Sequence, residues 1–303
     1  MTVNPPPKSV TVCLATFRRE TVEATIHSLA AQVLPKNVTL EVIVCDNDET
    51  PSARSRIQTL AAQVKIPIRY VHAPKRNISV ARNAGLDAAN GDWVAFIDDD
   101  EIAPEDWIAT LYDCAITNGH DIVFGPAYAH YPPDAPLWIS TIDYHSNIPL
   151  YRGGVVQTGH TCNALMRRTA PMIEGERFLL EKGRTGGEDT EFFFRLWKAG
   201  AKLGICNAAE VHETVEPTRL SFKWLLKRKF RSGITYGKHA LVKPGLIARL
   251  QLVVLAFAKI IYCGLRSAAA VFSQTSRNFW ALRAIFHCGV ASTGFKIREQ
   301  ELY

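Results

Sequence analysis

The chain has 303 residues, 47% hydrophobic and 21% charged. That is enough apolar content for a large core or a core with an appendage, and too little charge for a disordered polymer. The formal charge of +6 is uneven: residues 223–243 carry lysines and arginines and no acid, while acids gather around residues 98–106 and 174–191. Seven cysteines are scattered without a C-x-x-C pair, several inside apolar runs such as "VTVCLA". They read as buried free thiols in a reducing compartment and argue against a zinc cage. The chain opens without a charged n-region and a long apolar run, so no secretion signal is expected and the working domain is expected in the cytoplasm.

Pro5, Pro6 and Pro7 form a stiff lead-in, and "SVTVCLATF" after them reads as a strand. Residues Val22, Ile26, Leu29 and Val33 have helical spacing, with Pro35 beyond the end. The pattern then alternates: strand "TLEVIVCDND", helix "SARSRIQTLAAQV", strand "IPIRYVHA", helix "ISVARNAGLDAAN", strand "WVAFI". That alternation predicts a mostly parallel sheet with helices on both faces. A helix through "EIAPEDWIATLYDCAITNG" and a strand "DIVFGPAYAHY" follow, then an irregular stretch to about Met172. "EDTEFFFRLWKAGA" is expected to be helical and "KLGICNAAEVHE" a strand and loop. Past Pro217 the character changes to basic and helical, which divides the chain into 1–216 and 217–303.

Ligands of open parallel sheets bind beyond the carboxyl ends of the strands, and three such ends here are polar. The first carries Thr16, Phe17, Arg18 and Arg19, the second Asp46, Asn47 and Asp48, and the fourth "DDDE", Asp98 to Glu101. Four consecutive acids repel one another unless solvated or neutralised. With side chains alternating, Asp98 and Asp100 are expected to share a face that suits a hard cation, Mg²⁺ or Mn²⁺, which also takes phosphate oxygens. A solvated loop capping the next helix is the competing reading. Arg76, Asn77, Arg82 and Asn83, where the third strand turns into its helix, suit phosphate.

The motifs "VTVCLATFRR", "EVIVCDND", "NISVARNAG", "FIDDDE" and "GGEDTEFFFRL" occur in the order seen in inverting glycosyltransferases of family two, which have the GT-A fold. The resemblance covers roughly residues 9–215 and is similar in detail to enzymes that build bacterial exopolysaccharide or lipopolysaccharide repeat units. It implies a nucleotide-sugar half at about 9–104 and an acceptor half at about 105–216. It further implies a nucleotide along Thr16 and Arg18, a base contact from Asp46, and a diphosphate pocket at Asn77, Arg82 and Asp99. Asp98 and Asp100 match the D-x-D carboxylates, with Asp98 nearer the ribose and His212 a looser match as a third metal ligand. Glu188 and Asp189 match the pair whose aspartate is the general base. Gly153, Gly154, His160 and Asn163 lie in the segment matching the donor-sugar and acceptor edge, and Trp138 and Tyr144 are candidates to stack on sugar rings, with core packing the competing reading. UDP, and less firmly glucose, is what the resemblance implies for the donor.

The chemistry stands beside the resemblance. An acceptor hydroxyl must lose its proton as it attacks the anomeric carbon, and one positioned carboxylate suffices for a single inverting displacement. Asp189 opens an amphipathic helix whose dipole keeps it ionised, with helix capping as the plain alternative.

The tail mixes Phe222, Trp224, Leu225, Leu226 and Phe230 with Lys223, Lys227, Arg228, Lys229 and Arg231, a composition suited to an anionic membrane surface. The run 246–272 is long enough to span, but Arg249, Lys259 and Arg266 interrupt it, so in-plane or hairpin association is expected. An ordinary helical subdomain covering the sheet is the bland alternative. A lipid-linked saccharide as acceptor, at the cytoplasmic face of the inner membrane, is what the resemblance implies.

Other classes fit less well. A nucleotidyltransferase wants a glycine-rich, lysine-bearing loop where this chain has "ATFRRE". A prenyl-diphosphate enzyme wants a fifth-position aspartate where Ile102 stands. A nucleic-acid partner is not expected, because it leaves Asp46, the aspartate triplet and Asp189 without a role. A non-catalytic sugar-nucleotide-binding or membrane-assembly protein is the main rival.

Overall fold

The computed structural model describes residues 8–240 and 245–295; Pro5, Pro6, Pro7 and Lys243 lie outside them. The first half follows the alternation: β1 (Lys8–Thr16), α1 (Val22–Ala30), β2 (Val38–Asp46), α2 (Arg54–Gln63), β3 (Ile68–His72), α3 (Ile78–Ala88) and β4 (Trp93–Asp98). Next come β5 (Glu101–Ile102), α4 (Trp107–Asn118), β6 (Ile122–Phe124), β7 (Ala127–His130), α5 (Leu137–Ile142) and β8 (Asn163–Met166). Then α6 (Glu188–Lys198), β9 (Leu203–Ile205), β10 (Val211–Thr214), α7 (Phe222–Ala240), α8 (Leu246–Ala269) and α9 (Gln274–Ser292) complete the order.

Among the described residues a seven-stranded sheet runs β3-β2-β1-β4-β8-β6-β9. β1 to β4 are mutually parallel, β8 is antiparallel to both neighbours, and β6 and β9 pair in parallel. The period of two along each strand divides the core between the faces. Val10, Val12, Leu14, Val42, Val44 and Ile97 join one cluster, with α1, α2 and α4. Cys13, Ile43, Cys45, Val94 and Phe96 join the other, with α3 and α6. Burial on both faces explains why these strands read as continuous apolar runs.

Two expectations change. "DIVFGPAYAHY" is two strands, because Pro126 cannot donate to a ladder and Gly125 lies against other backbone. A Cβ on Gly125 would stand 2.0 Å from the Ala209 carbonyl oxygen. The chain leaves the large sheet there, and β7 joins a small sheet of order β5-β10-β7. The irregular stretch also contains β8, whose first residue is a hub. The Asn163 amide donates to the carbonyls of Pro126 (2.9 Å) and Ala209 (2.7 Å), and its oxygen accepts from Trp107 Nε1 at 2.9 Å. Asn163 is 1% exposed, so its expected sugar contact is replaced by this internal role.

In the carboxyl-terminal region α9 packs against both α7 and α8. Trp138, Ile139, Leu225 and Leu282 form a cluster that fastens these helices to α5. Trp138 is therefore a core side chain on a short helix, tilted against Phe222 with ring centroids 6.0 Å apart. The expected sugar stacking is corrected accordingly.

Replacing Asn163 with alanine strands one buried donor, Trp107 Nε1, and one buried acceptor, the Ala209 carbonyl, while the Pro126 carbonyl keeps the Val211 amide. The expected cost is roughly 3 kcal/mol or more, checked by urea unfolding against wild type.

Candidate active site

Three arginines from separated parts of the chain neutralise the acidic strand end. The strand stops at Asp98 and the next two residues turn, so strict alternation does not carry on to Asp100. Asp99 accepts from Thr16 Oγ1 at 2.7 Å and pairs with Arg19 at 3.1 Å. Asp100 pairs through Oδ2 with both Arg19 and Arg219, the latter at 3.2 Å. Arg82 stands 3.7 Å from Asp98. Glu101 turns inward and accepts from the Asp98 amide at 2.8 Å. Burial, with the Asp98 charge beside it, pushes the Glu101 carboxyl well up. Burial also lifts Asp99 to about 6, against the pull of Arg19 and Thr16. Asp98 remains the open member, its side chain 45% exposed.

The other strand-end residues are largely committed to shaping the rim. Asp46 is enclosed and accepts from the amides of Asp48 (3.1 Å) and Ala53 (2.8 Å) and from the Tyr70 hydroxyl (2.8 Å). Its expected base contact gives way to holding this loop. Arg18 forms a two-point pair with Asp48 at 2.7 and 2.9 Å, at the mouth of a shallow depression of about 350 Å³ that Arg19, Ser52 and Arg56 also line. Asn77 caps α3, accepting from the amides of Ser79 and Val80 and donating to the Leu180 carbonyl. The Ile78 amide donates to Gly183, so the start of α3 is covered and not open to phosphate. Thr16, 2% exposed, locks Asp99 where it was expected to line the nucleotide.

The Glu188–Asp189 pair divides its work. Gly187, at φ +82°, is the α6 N-cap residue, and no side chain caps the helix there. Asp189, the second residue of the helix, satisfies the first-turn amide of Thr190, so it serves the helix start and faces the cavity as well. A Cβ on Gly187 would meet Thr235 of α7 at 2.7 Å, so glycine is needed for both backbone and contact. Glu188 points inward to Arg82, both nearly buried, and positions that arginine. Asp189 faces a cavity of about 610 Å³ between the start of α6, α7 and the 144–160 loop. Its carboxylate accepts from the Thr190 amide and pairs with His160 Nδ1 at 3.0 Å. Burial alone would raise the Asp189 carboxyl; the His160 pair and the Arg82 charge overcome it and hold it below the usual range. The same pair raises His160 against burial.

Two further expectations are revised. His212 and Glu213 are consecutive on β10 and project to opposite faces. Glu213 engages Arg219, the arginine on Asp100. His212 turns the other way, to His130 at 2.8 Å and Glu210 at 3.3 Å, so it is not a third ligand beside the aspartates. Gly153 and Gly154 are exposed, at φ +58° and +81°, and a Cβ on either meets nothing within 4 Å. Glycine is required there by the turn and not by close approach. The residues that reading the strand ends missed are Arg219 and Glu213, which carry no local signature in "PTRL" and "VHET".

The carboxylates fit a hard cation. Asp98 and Asp100 offer oxygen chemistry, and both arginines on Asp100 use Oδ2, leaving Oδ1 outside those contacts. Among the described residues no third His, Cys, Asp or Glu completes a cluster, so remaining ligands would come from phosphate or water.

Comparison with known proteins decides the family: residues 11–171 match glycosyl transferase family 2. The chain belongs to that family. It is 42% identical to succinoglycan biosynthesis protein ExoM of Rhizobium meliloti (strain 1021), over 97% of this chain and 95% of that protein. It is 32% identical to glucosyl-dolichyl phosphate glucuronosyltransferase of Haloferax volcanii, over 74% of each. Among solved structures it resembles the mannosyltransferase PcManGT from Pyrobaculum calidifontis, in complex with GDP-Man and Mn²⁺. That match has a TM-score of 0.65 and 17% identity, over 98% of this chain and 91% of the other. The fold of this glycosyltransferase is GT-A, a mixed sheet flanked by helices.

Removing one partner of a buried ion pair leaves an uncompensated charge, whereas removing both does not. Arg82→Met is expected to cost about 3–5 kcal/mol, and adding Glu188→Gln to recover more than half of it in thermal unfolding. Additive losses would show that the pair does not hold the cleft.

Proposed function

We propose that this glycosyltransferase moves a sugar, with inversion, from a nucleotide-diphosphate donor to a hydroxyl of a lipid-linked saccharide in exopolysaccharide biosynthesis. The observation that carries the reading is Asp189: an enclosed carboxylate, kept ionised by His160, at the wall of a cavity and within electrostatic reach of Asp98. The similarity to ExoM supports the pathway, and the similarity to a glucosyl-dolichyl phosphate glucuronosyltransferase supports a lipid-linked acceptor.

The donor nucleotide would lie over the ends of β1, β2 and β4, near the depression at Arg18 and Arg19, with its diphosphate toward Asp98 and Arg82. Asp98 and Asp100 would hold Mn²⁺ or Mg²⁺, which would supply charge neutralisation for the departing diphosphate. Asp189 accepts the proton of the acceptor hydroxyl as its oxygen bonds to the anomeric carbon and the bond to the diphosphate breaks. Glu188 keeps Arg82 facing Asp98, and His160 keeps Asp189 ionised and oriented.

Membrane contact through α8 belongs to the same reading. This helix is long and apolar enough to cross a bilayer, but its charges are arranged otherwise. Leu250, Val254, Phe257, Ile261 and Leu265 are exposed along one stripe, while Lys259 and Arg266 fall on roughly the opposite side at 100° per residue. A stripe of that kind suits a helix lying in the membrane plane, which this reading places on the cytoplasmic face.

Donor turnover by the full chain with a lipid-linked acceptor extract, screening UDP-glucose first and GDP-mannose alongside, tests this. Asp189→Asn is expected to lower transfer by roughly 10²- to 10⁴-fold. Because the base works ionised, its lowered pKa extends activity downward in pH. His160→Gln removes the opposing charge, lets burial raise Asp189, and is expected to move the acid limb of the rate profile to higher pH. Nucleotide binding with no turnover in wild type would favour the non-catalytic rival.

A further inference from the structure

The cavity in front of Asp189 is lined on its far side by cations that the transfer chemistry leaves unused. Arg228, Lys229 and Arg231 of α7 and Arg152 of the facing loop border it. The arginines of the cleft floor, Arg19, Arg82 and Arg219, are paired with carboxylates; these four are not. Among the described residues none of the four has a carboxylate within ion-pair distance, and each except Arg231 instead lies over an aromatic ring: Arg152 on Tyr236, Arg228 on Trp224, Lys229 on Tyr144. Arg231 Nε is buried without a hydrogen-bond partner. Buried donors of this kind are ordinarily satisfied. Desolvation, reinforced by Arg228 and Arg283, lowers Lys229 to about 8, and desolvation lowers Arg231 as well. An anion entering would relieve both costs together.

Position narrows the anion's identity. The cavity also holds Asp189 and His160 on its near wall, so whatever is bound there reaches the general base. Ala240, the last residue of α7, lines it, and only residues 241–245 separate that point from Leu246, where the exposed apolar stripe of α8 begins. An anion held here has a hydroxyl-bearing group ahead of it and an apolar surface behind it.

We propose that Arg152, Arg228, Lys229 and Arg231 form the binding site for the phosphate or diphosphate that joins the acceptor saccharide to its lipid. This rests on the transferase reading of Asp189 and adds to it the group by which the acceptor is gripped. The cations act at the acceptor, apart from the donor diphosphate at Asp98 and Arg82, so one enzyme holds two phosphoryl groups on opposite sides of the reacting carbon. The Lys and Arg chains that reach the same cavity from α7 also fix the distance from lipid to reacting hydroxyl.

The test titrates the full chain, in EDTA to silence cation-dependent binding at the aspartates, with farnesyl diphosphate, farnesol and phosphatidylglycerol vesicles. Wild type is expected to bind farnesyl diphosphate and to bind farnesol much more weakly. Lys229→Gln and Arg231→Gln are each expected to weaken farnesyl diphosphate by about tenfold, the loss of one charge-assisted contact, with partial rescue by Arg231→Lys. A measurement without substitution guards against misfolding: farnesyl diphosphate should protect Lys229 from acetylation, read by mass spectrometry. Equal binding of alcohol and diphosphate, or no protection of Lys229, overturns the site. Variants that lose only vesicle binding would reassign these cations to lipid headgroups and likewise overturn it. Diphosphate binding without donor turnover in wild type would instead sink the transferase reading and leave the anion site standing.

Discussion

Repulsion among Asp98, Asp99, Asp100 and Glu101 is the constraint around which the cleft is organised. Water could solvate such a cluster on an open loop, but here two of the aspartates and the glutamate are largely enclosed. The counter-charges must therefore come from the chain. Arg19 arrives from the end of β1, Arg82 from inside α3, and Arg219 from the approach to α7. Together the pairings tie the end of β1, helix α3 and the helical tail to the acidic turn. Glu101 takes the remaining route, with burial favouring its uncharged form.

The same economy runs along the α3–α6 contact. Arg82 reaches Asp98 on one side and Glu188 on the other, so a single guanidinium links the acidic strand end to the start of α6. Asp189, the next residue after Glu188, inherits a fixed position from that pair and a fixed charge state from His160. The consecutive acids that looked equivalent thus have separate environments, one facing protein and one facing the cavity.

Much of this was legible from the chain itself. Strands buried on both faces announce themselves as apolar runs, and the polar residues that end them must lie at one edge of a parallel sheet. That logic reached Asp98, Asp100 and Arg82, whereas Asp189, at the start of a helix, was singled out through the family resemblance. What was not legible depended on contacts across long sequence distances. Asn163 and Trp138 look like ordinary polar and aromatic loop residues until β8 and α5 are seen to bury them. His212 carried the metal-ligand chemistry, yet a period-two strand hands the cleft to Glu213, its neighbour. Arg219 sits in a stretch with no pattern, and only the third dimension brings it to Asp100.

Arg219 also belongs to the segment leading into α7, which makes the helical tail part of the electrostatics of the catalytic edge. A tail borrowed from a related enzyme would need to return a guanidinium to Asp100 at the same spot, or the acidic turn would carry one positive partner fewer. Modular exchange of such tails is therefore constrained by a charge that neither module owns alone, and a clean cut at residue 216 would yield a domain with its central balance already disturbed.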